Sequence, residues 1–326
     1  MFIKYNNGTY TGEVDYNEKR HGYGTYNWNS GDKYVGYWSH GDMHGRGKYY
    51  YTDGTYYDGD WKNSQRTGNG KKTYSNGWYE GQWLNGEKNG RGTYHWNSGA
   101  SYTGDWVNGV KQGYGKYIYP SGNYYDGQWV NDKKSGYGYE KFDNGHYEGY
   151  YTNDSRTGRG KYCWHDGNVY EGGFKEGKLH GRGKIVYASG ASYEGDWVED
   201  TKHGYGKYTY ESGNYYEGEY VNNKADGYGY EKYNNGTYQG QYRDGKRNGR
   251  GTYRWNSGAS YEGGWLNGAK HGRGKYTYAD GAVYDGEWVN DQMHGHGIMY
   301  YADGTVYDGE WENSKRVESR GGNKFI

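Results

Sequence analysis

One unit repeats along almost the whole chain, and this repetition constrains the fold more than any other feature. The pattern Tyr-x-Gly-x-aromatic, a loop of about six residues, Gly-x-Gly, then aromatics and a Gly turn, recurs every 22–24 residues. Its opening tyrosines are Tyr10, Tyr34, Tyr57, Tyr79, Tyr102, Tyr125, Tyr147, Tyr170, Tyr193, Tyr216, Tyr238, Tyr261, Tyr284 and Tyr307. Gly follows two residues later in all fourteen copies, and the next alternate position is Trp in nine, Tyr or Phe in four, and Val14 in the first. Gly-x-Gly is kept in thirteen copies, from Gly22/Gly24 to Gly295/Gly297, and an aromatic stands four residues after each one, from Trp28 to Tyr301. Both halves alternate with period 2, the strand period, and nothing sustains a helical period. Each copy therefore reads as a β-hairpin with one aromatic and glycine face and one polar face. Asn-Gly in the loop, as at Asn85-Gly86, supplies the turn.

Composition shows why the rings matter. Leu, Ile, Val and Phe together number 25 of 326 residues, whereas Tyr and Trp number 49 and 14, so the core must come from aromatic rings. So few aliphatics would suggest disorder in a highly charged chain, but 40 basic and 40 acidic residues cancel here. The 64 glycines follow no collagen period. A Gly beside an aromatic on the neighbouring strand lets the ring lie over bare backbone. These glycines are therefore structural rather than phosphate-binding. Acids face outward on first strands, as at Glu194/Asp196, Glu217/Glu219, Asp285/Glu287 and Asp308/Glu310. Bases face outward on second strands, as at Arg159/Lys161, Lys207 and Arg273/Lys275, giving cross-strand pairs.

A longer period overlies the first: residues 91–172 match 182–263 at an offset of 91. The copies opening at Tyr57, Tyr125 and Tyr216 are one residue shorter in the link, and carry Lys72, Glu140 or Glu231 where most others have Tyr. A one-residue change in a period-2 element reverses the face that a side chain meets, so each short copy calls for a bulge or an altered link. The whole reads as an all-β, elongated single-layer antiparallel β-hairpin solenoid of about 14 repeats, twisted or curved with an aromatic groove. Stacked as a meander its strands would span about 130 Å. The array covers 1–314, and 315–326 reads as a tail or cap. Ile3–Thr9 resembles the second half of a short copy.

The unit seen nearly whole at 261–276, YEGGWLNGAKHGRGKY, closely resembles the MORN repeat. That resemblance implies a non-enzymatic repeat array and roles in membrane–cytoskeleton organisation, including junctional tethers and basal or flagellar structures, with some members acting as dimeric scaffolds. It carries no catalytic residues with it. The residues themselves point the same way. Carboxylate pairs recur in every copy, whereas catalysis needs one distinctive constellation. Cys163 alternates onto the polar face, and one cysteine forms no internal disulfide. His21, His44, His180, His203, His271 and His294 each precede a Gly-x-Gly; successive copies should lie about 9–10 Å apart, too far to share a metal whose ligands sit about 2.1 Å from it. His294-Gly-His296 could hold a metal only weakly.

The reading is therefore a scaffold with no catalytic, cofactor or metal site. Its partner groove is lined by Trp38, Trp61, Trp83, Trp106, Trp129, Trp197, Trp265, Trp288 and Trp311, suited to a protein helix or to homodimerisation. The alternative is a tether to anionic phospholipid through the basic loop edge of Lys19/Arg20, Lys88, Lys111, Lys133/Lys134, Lys178, Lys202, Lys246/Arg247 and Lys270. Acids in the same loops, Asp42, Glu87, Asp132, Glu176, Glu199/Asp200 and Asp244, leave that edge only mildly basic. The zero charge balance speaks against nucleic acid. A glycan-binding aromatic repeat would need a secreted chain and a different spacing. With no signal-peptide pattern at the N-terminus, a cytoplasmic location is the expectation.

Overall fold

The structure is a computed structural model and describes residues 1–317. Among the described residues the chain is all-β, with 29 strands from β1 (Phe2–Tyr5) to β29 (Lys315–Arg316) and no helix. It divides into two compact units, Met1–Tyr162 and the residues from Cys163 on. In the first, each strand from β1 to β14 (Gly145–Thr152) pairs antiparallel with the next. In the second, the same holds from β16 (Val169–Lys175) to β29. The fold is the expected β-hairpin repeat solenoid.

Three details of the hairpin differ from the sequence reading. The six-residue loop is mostly strand: in the copy opening at Tyr79, Leu84 pairs with Glu87, and only Asn85 and Gly86 turn the chain. Both have positive φ, 51° and 85°, as a type I′ turn requires. Second, a register shift marks each full hairpin whose register is described, between the strand Gly and the ring position, as at Gly81/Trp83 and Gly104/Trp106. The bulge is thus a property of the repeat and not of short copies. The extra residues lie on the second strand, where Asn89, Gly90 and Arg91 oppose Gln82 alone. The first Gly of Gly-x-Gly sits within the bulge in the left-handed region, at Gly45 (φ 62°) and Gly90 (φ 90°), the residue a bulge of this kind selects.

Third, the short copies differ in their links, as expected, but no face is reversed. Tyr74 pairs with Gly77 across a two-residue turn, and Lys72, Glu140 and Glu231 still stand opposite the opening tyrosines Tyr79 and Tyr57, Tyr125 and Tyr147, Tyr216 and Tyr238. The shortened link absorbs the missing residue before register is lost. The N-terminal segment follows this pattern, with Tyr5 paired to Gly8 around Asn6-Asn7. At the other end Lys315 and Arg316 pair with Glu312 and Trp311, so strand pairing runs two residues into the segment read as a tail. Its remainder from 318 lies outside the described residues.

Candidate functional site

The aromatic face is built residue by residue from the opening tyrosine. All fourteen of these side chains are buried. Tyr34 lies over two glycines at once: a Cβ on Gly47, across the strand pair, would stand 2.0 Å from its hydroxyl, and one on Gly36 of its own strand 2.6 Å. The same ring-over-glycine contact recurs at Tyr57, Tyr79, Tyr102 and their equivalents. The hydroxyl then donates to the carbonyl of the residue three positions on, which stands opposite the bulge, Tyr34 to Tyr37 at 3.0 Å and Tyr79 to Gln82 at 3.0 Å. The side chain opposite the bulge faces the other way and accepts from the backbone N–H inside Gly-x-Gly, as Gln82 Oε1 does from Arg91 at 2.8 Å and Asp60 Oδ2 from Asn69 at 2.8 Å. Ring, bulge and glycine pair therefore specify one another.

The nine tryptophans named as a partner groove join copy to copy. Trp38, Trp61, Trp83, Trp106, Trp129, Trp197, Trp265, Trp288 and Trp311 are only 3–5% exposed. Each indole donates to the carbonyl of the second Gly of Gly-x-Gly in the preceding copy, for example Trp61 to Gly47 and Trp129 to Gly115 at 2.8–3.0 Å. Tyr34, Tyr57, Tyr79, Tyr102, Tyr261 and Tyr284 each meet their own Trp and the next edge-on, as Tyr34 does Trp38 at 5.0 Å and Trp61 at 5.5 Å, a geometry the ring quadrupoles favour. Tyr or Phe takes the place of Trp in contacts such as Tyr216 with Tyr220 and Tyr242. These indoles are the closed floor of the face, and half-exposed rings such as Trp28, Trp96 and Tyr117 stand above them.

Much of the supposed basic edge folds onto this face. Lys88 pairs in register with Trp83 but reaches over Trp106 of the next copy, its Nζ 4.0 Å from the ring centroid. Arg20 covers Trp38 at 4.3 Å, Arg66 Trp83 at 4.7 Å, Lys111 Trp129 at 4.2 Å, Arg247 Trp265 at 4.4 Å and Lys270 Trp288 at 4.3 Å. Turn backbone locks the arrangement: Gly109 N–H donates to Lys88 O and Asp132 N–H to Lys111 O. Burial pushes the ammonium groups of Lys88, Lys111, Lys202 and Lys270 below their usual range. Alternation marked these bases only as loop residues. The missing signal was their register opposite Trp, visible once the loop is read as strand.

In the short copies the face takes up charge. Glu140 is buried and held by Lys134, by Tyr119 Oη at 3.1 Å and by Tyr151 Oη at 2.8 Å. Glu231 accepts from Tyr233 and from Tyr242 at 2.7 Å, and Lys72 lies 4.0 Å over Tyr51. The donors present suit each charge, so these are structural substitutes for a ring.

The opposite face is polar, as expected. Ion pairs there link copies, as in Lys184 with Glu194 at 3.7 Å, Lys207 with Glu217 at 3.6 Å and Arg91 with Asp105 at 3.7 Å. Between them stand half-exposed tyrosines at the centre of Gly-x-Gly, Tyr23, Tyr114, Tyr137, Tyr205 and Tyr228, 45–61% exposed. Cys163 is half-buried. His296 binds Asp308 at 2.9 Å rather than pairing with His294. One histidine contact escaped the spacing argument: His21 meets His40 of the next turn, ring centroids 5.2 Å apart, beside Asp15.

The MORN repeat model matches fourteen consecutive segments, 10–33, 34–56, 57–78, 79–101, 102–124, 125–146, 147–169, 170–192, 193–215, 216–237, 238–260, 261–283, 284–306 and 307–317. No curated protein matches the chain. Among solved structures it is similar to the TCP10 domain of Danio rerio CPAP in complex with a STIL peptide. The identity is 11%, over 73% of this chain and 93% of that one, with a TM-score of 0.33. It is also similar to the TCP domain of Drosophila melanogaster SAS-4 in complex with a proline-rich motif of Ana2, at 14% identity over 48% of this chain and 85% of that one, with a TM-score of 0.30. With the family model matching from Tyr10 to Val317 and every match starting on an opening tyrosine, the chain belongs to the MORN repeat family.

Proposed function

We propose that this protein is a non-enzymatic scaffold that organises protein assemblies at a membrane–cytoskeleton or ciliary structure. The observation that carries this reading is that its surface chemistry is periodic. Tyr and Arg side chains recur at one position of successive copies, flanked by acids, which offers a partner many equal contacts rather than one pocket. Tyr and Arg dominate the energetics of protein interfaces. The aromatic groove imagined from sequence is closed by its own indoles and cations, so the contact surface moves to the polar face around Tyr114, Tyr137, Tyr205 and Tyr228. The use of Arg20, Lys88, Lys111 and Lys270 as ring covers also weakens the case for a lipid-binding basic edge.

The test is cross-linking and mass spectrometry of the tagged chain in its native cells, beside a variant with Tyr114, Tyr137, Tyr205 and Tyr228 changed to Ser. Loss of the same protein partners from the variant, with the fold intact by circular dichroism, supports the reading. Equal recovery by both chains, or recovery of none, refutes it. Flotation with vesicles of one-third phosphatidylserine at low salt should leave the protein unbound.

A further inference from the structure

The first copy is the one whose loop is a residue longer, and its extra length builds something found nowhere else in the array. Asp15 anchors that loop, its Oδ1 accepting from the backbone N–H groups of Asn17 and Lys19, both at 2.9 Å. Its Oδ2 is shielded from solvent yet has no hydrogen-bond partner, and a bare carboxylate oxygen of this kind is costly unless something else meets it. Two imidazoles do come close. One ligating atom from each of Asp15, His21 and His40 lies within 4.8 Å of the other two. Among the described residues no other three His, Cys, Asp or Glu side chains converge so.

The backbone holds this group in place. Gly41 N–H donates to Arg20 O at 2.9 Å, and the Arg20 guanidinium donates back to Gly41 O at 2.6 Å. His21 follows Arg20 and His40 precedes Gly41, so this reciprocal pair sets both histidine backbones side by side. Ser39 Oγ lies 3.1 Å from His40 Nδ1, an outer contact of the type that orients ligating imidazoles; with Nδ1–H donating to it, the Nε2 lone pair is free. The other copies show why the site is single. The turn position of His40 is Asn in nine later copies and an acid in three, from Asn63 to Asn313. His44, His180, His203, His271 and His294 therefore face no second imidazole there.

We propose that Asp15, His21 and His40 form a divalent transition-metal site joining the first two copies, and that zinc(II) is the ion this donor set suits best. Two imidazoles and one carboxylate are the ligands of many such sites, and water completes the shell. Ligands about 2.1 Å from a tetrahedral ion stand about 3.4 Å apart. Rotation of the two exposed imidazoles about χ1 and χ2 closes the remaining distance without moving the anchored carboxylate. The ion would supply the partner that Asp15 Oδ2 lacks.

The experiment is a zinc titration of the full chain, without a histidine tag, in a chelator-buffered calorimetric series, repeated with cobalt(II) to read ligation from its visible absorption. The expected result is one saturable site per chain. His40→Asn and His21→Thr place residues that other copies carry at those positions, so the fold is retained. Each should lower affinity at least tenfold and abolish the cobalt spectrum, whereas His203→Asn, at the equivalent of His21 in another copy, changes neither. Hydrogen exchange of residues 15–21 and 39–42 should slow on zinc addition in the parent alone. Absence of a stoichiometric site, or parent-like affinity in both His21 and His40 variants, overturns the proposal.

Discussion

At the scale of single residues, the two glycines of Gly-x-Gly do different work, and substitution separates them. Gly45 is selected by its left-handed φ of 62°, and an added Cβ would meet Tyr37 Cβ at 3.3 Å. A Gly45→Ala change thus carries mainly the backbone cost, about 1–2 kcal/mol. Gly47 has ordinary extended backbone, but its new Cβ would fall 2.0–2.5 Å from the Tyr34 ring and hydroxyl. The ring cannot yield, because it is fully buried and bound to Tyr37 O. Gly47→Ala should therefore cost more, about 3 kcal/mol, combining overpacking with a lost hydrogen bond. Tyr34→Phe, which removes only the hydroxyl, should cost about 1 kcal/mol. Free energies of opening from hydrogen exchange at residues 34–61 check the order, and a smaller cost at Gly47 than at Gly45 would contradict it.

At the scale of the strand pair, what holds one copy to the next is a sandwich of indole, phenol and cation. Lys111 is the clearest case: it stands opposite Trp106, its carbonyl accepts from the Asp132 N–H, and its ammonium lies over Trp129. A double-mutant cycle of Lys111→Met and Trp129→Leu should give a coupling energy of about 0.5–2 kcal/mol, measured from exchange of amides 101–130. A cycle of Lys116 and Asp126, an ion pair 3.9 Å apart on the exposed face, should give less than about 0.5 kcal/mol and vanish in 1 M salt. This contrast also explains what was legible in the sequence. Period-2 alternation placed the opening tyrosines, the tryptophans and the outward acids on their correct faces, because alternation reports which face a side chain meets. It could not report closure. Whether Trp106 lines an open groove or is sealed depends on Lys88 reaching it from the copy before, and on a loop that continues as strand. Nor could spacing find Asp15, His21 and His40, because the contact joins the long loop of one copy to the turn of the next.

At the scale of the whole molecule, a core made of phenols has a pH limit that an aliphatic core lacks. Burial raises the hydroxyls of Tyr10, Tyr147 and Tyr284 to about 12, and those of Tyr34, Tyr57, Tyr79, Tyr102, Tyr170, Tyr193 and Tyr238 higher still, burial being the largest cause in each. In the unfolded chain the same groups ionise near 10. The folded state thus keeps protons that the unfolded state releases, and linkage makes stability fall as pH rises. The contribution is complete below pH 10 and is lost progressively through pH 12. Because the equivalent ring recurs in every copy, many small losses fall in one narrow window, and unfolding should be steep in alkali while stability changes little between pH 7 and 9. Far-UV circular dichroism followed with phenolate absorbance at 295 nm reads both events. The buried phenolates should appear only as the sheet signal collapses above pH 10. A sheet signal that persists after all 49 tyrosines have ionised would mean that the rings can lose their protons in place, and that the hydroxyl-to-carbonyl hydrogen bonds are not what holds each copy closed.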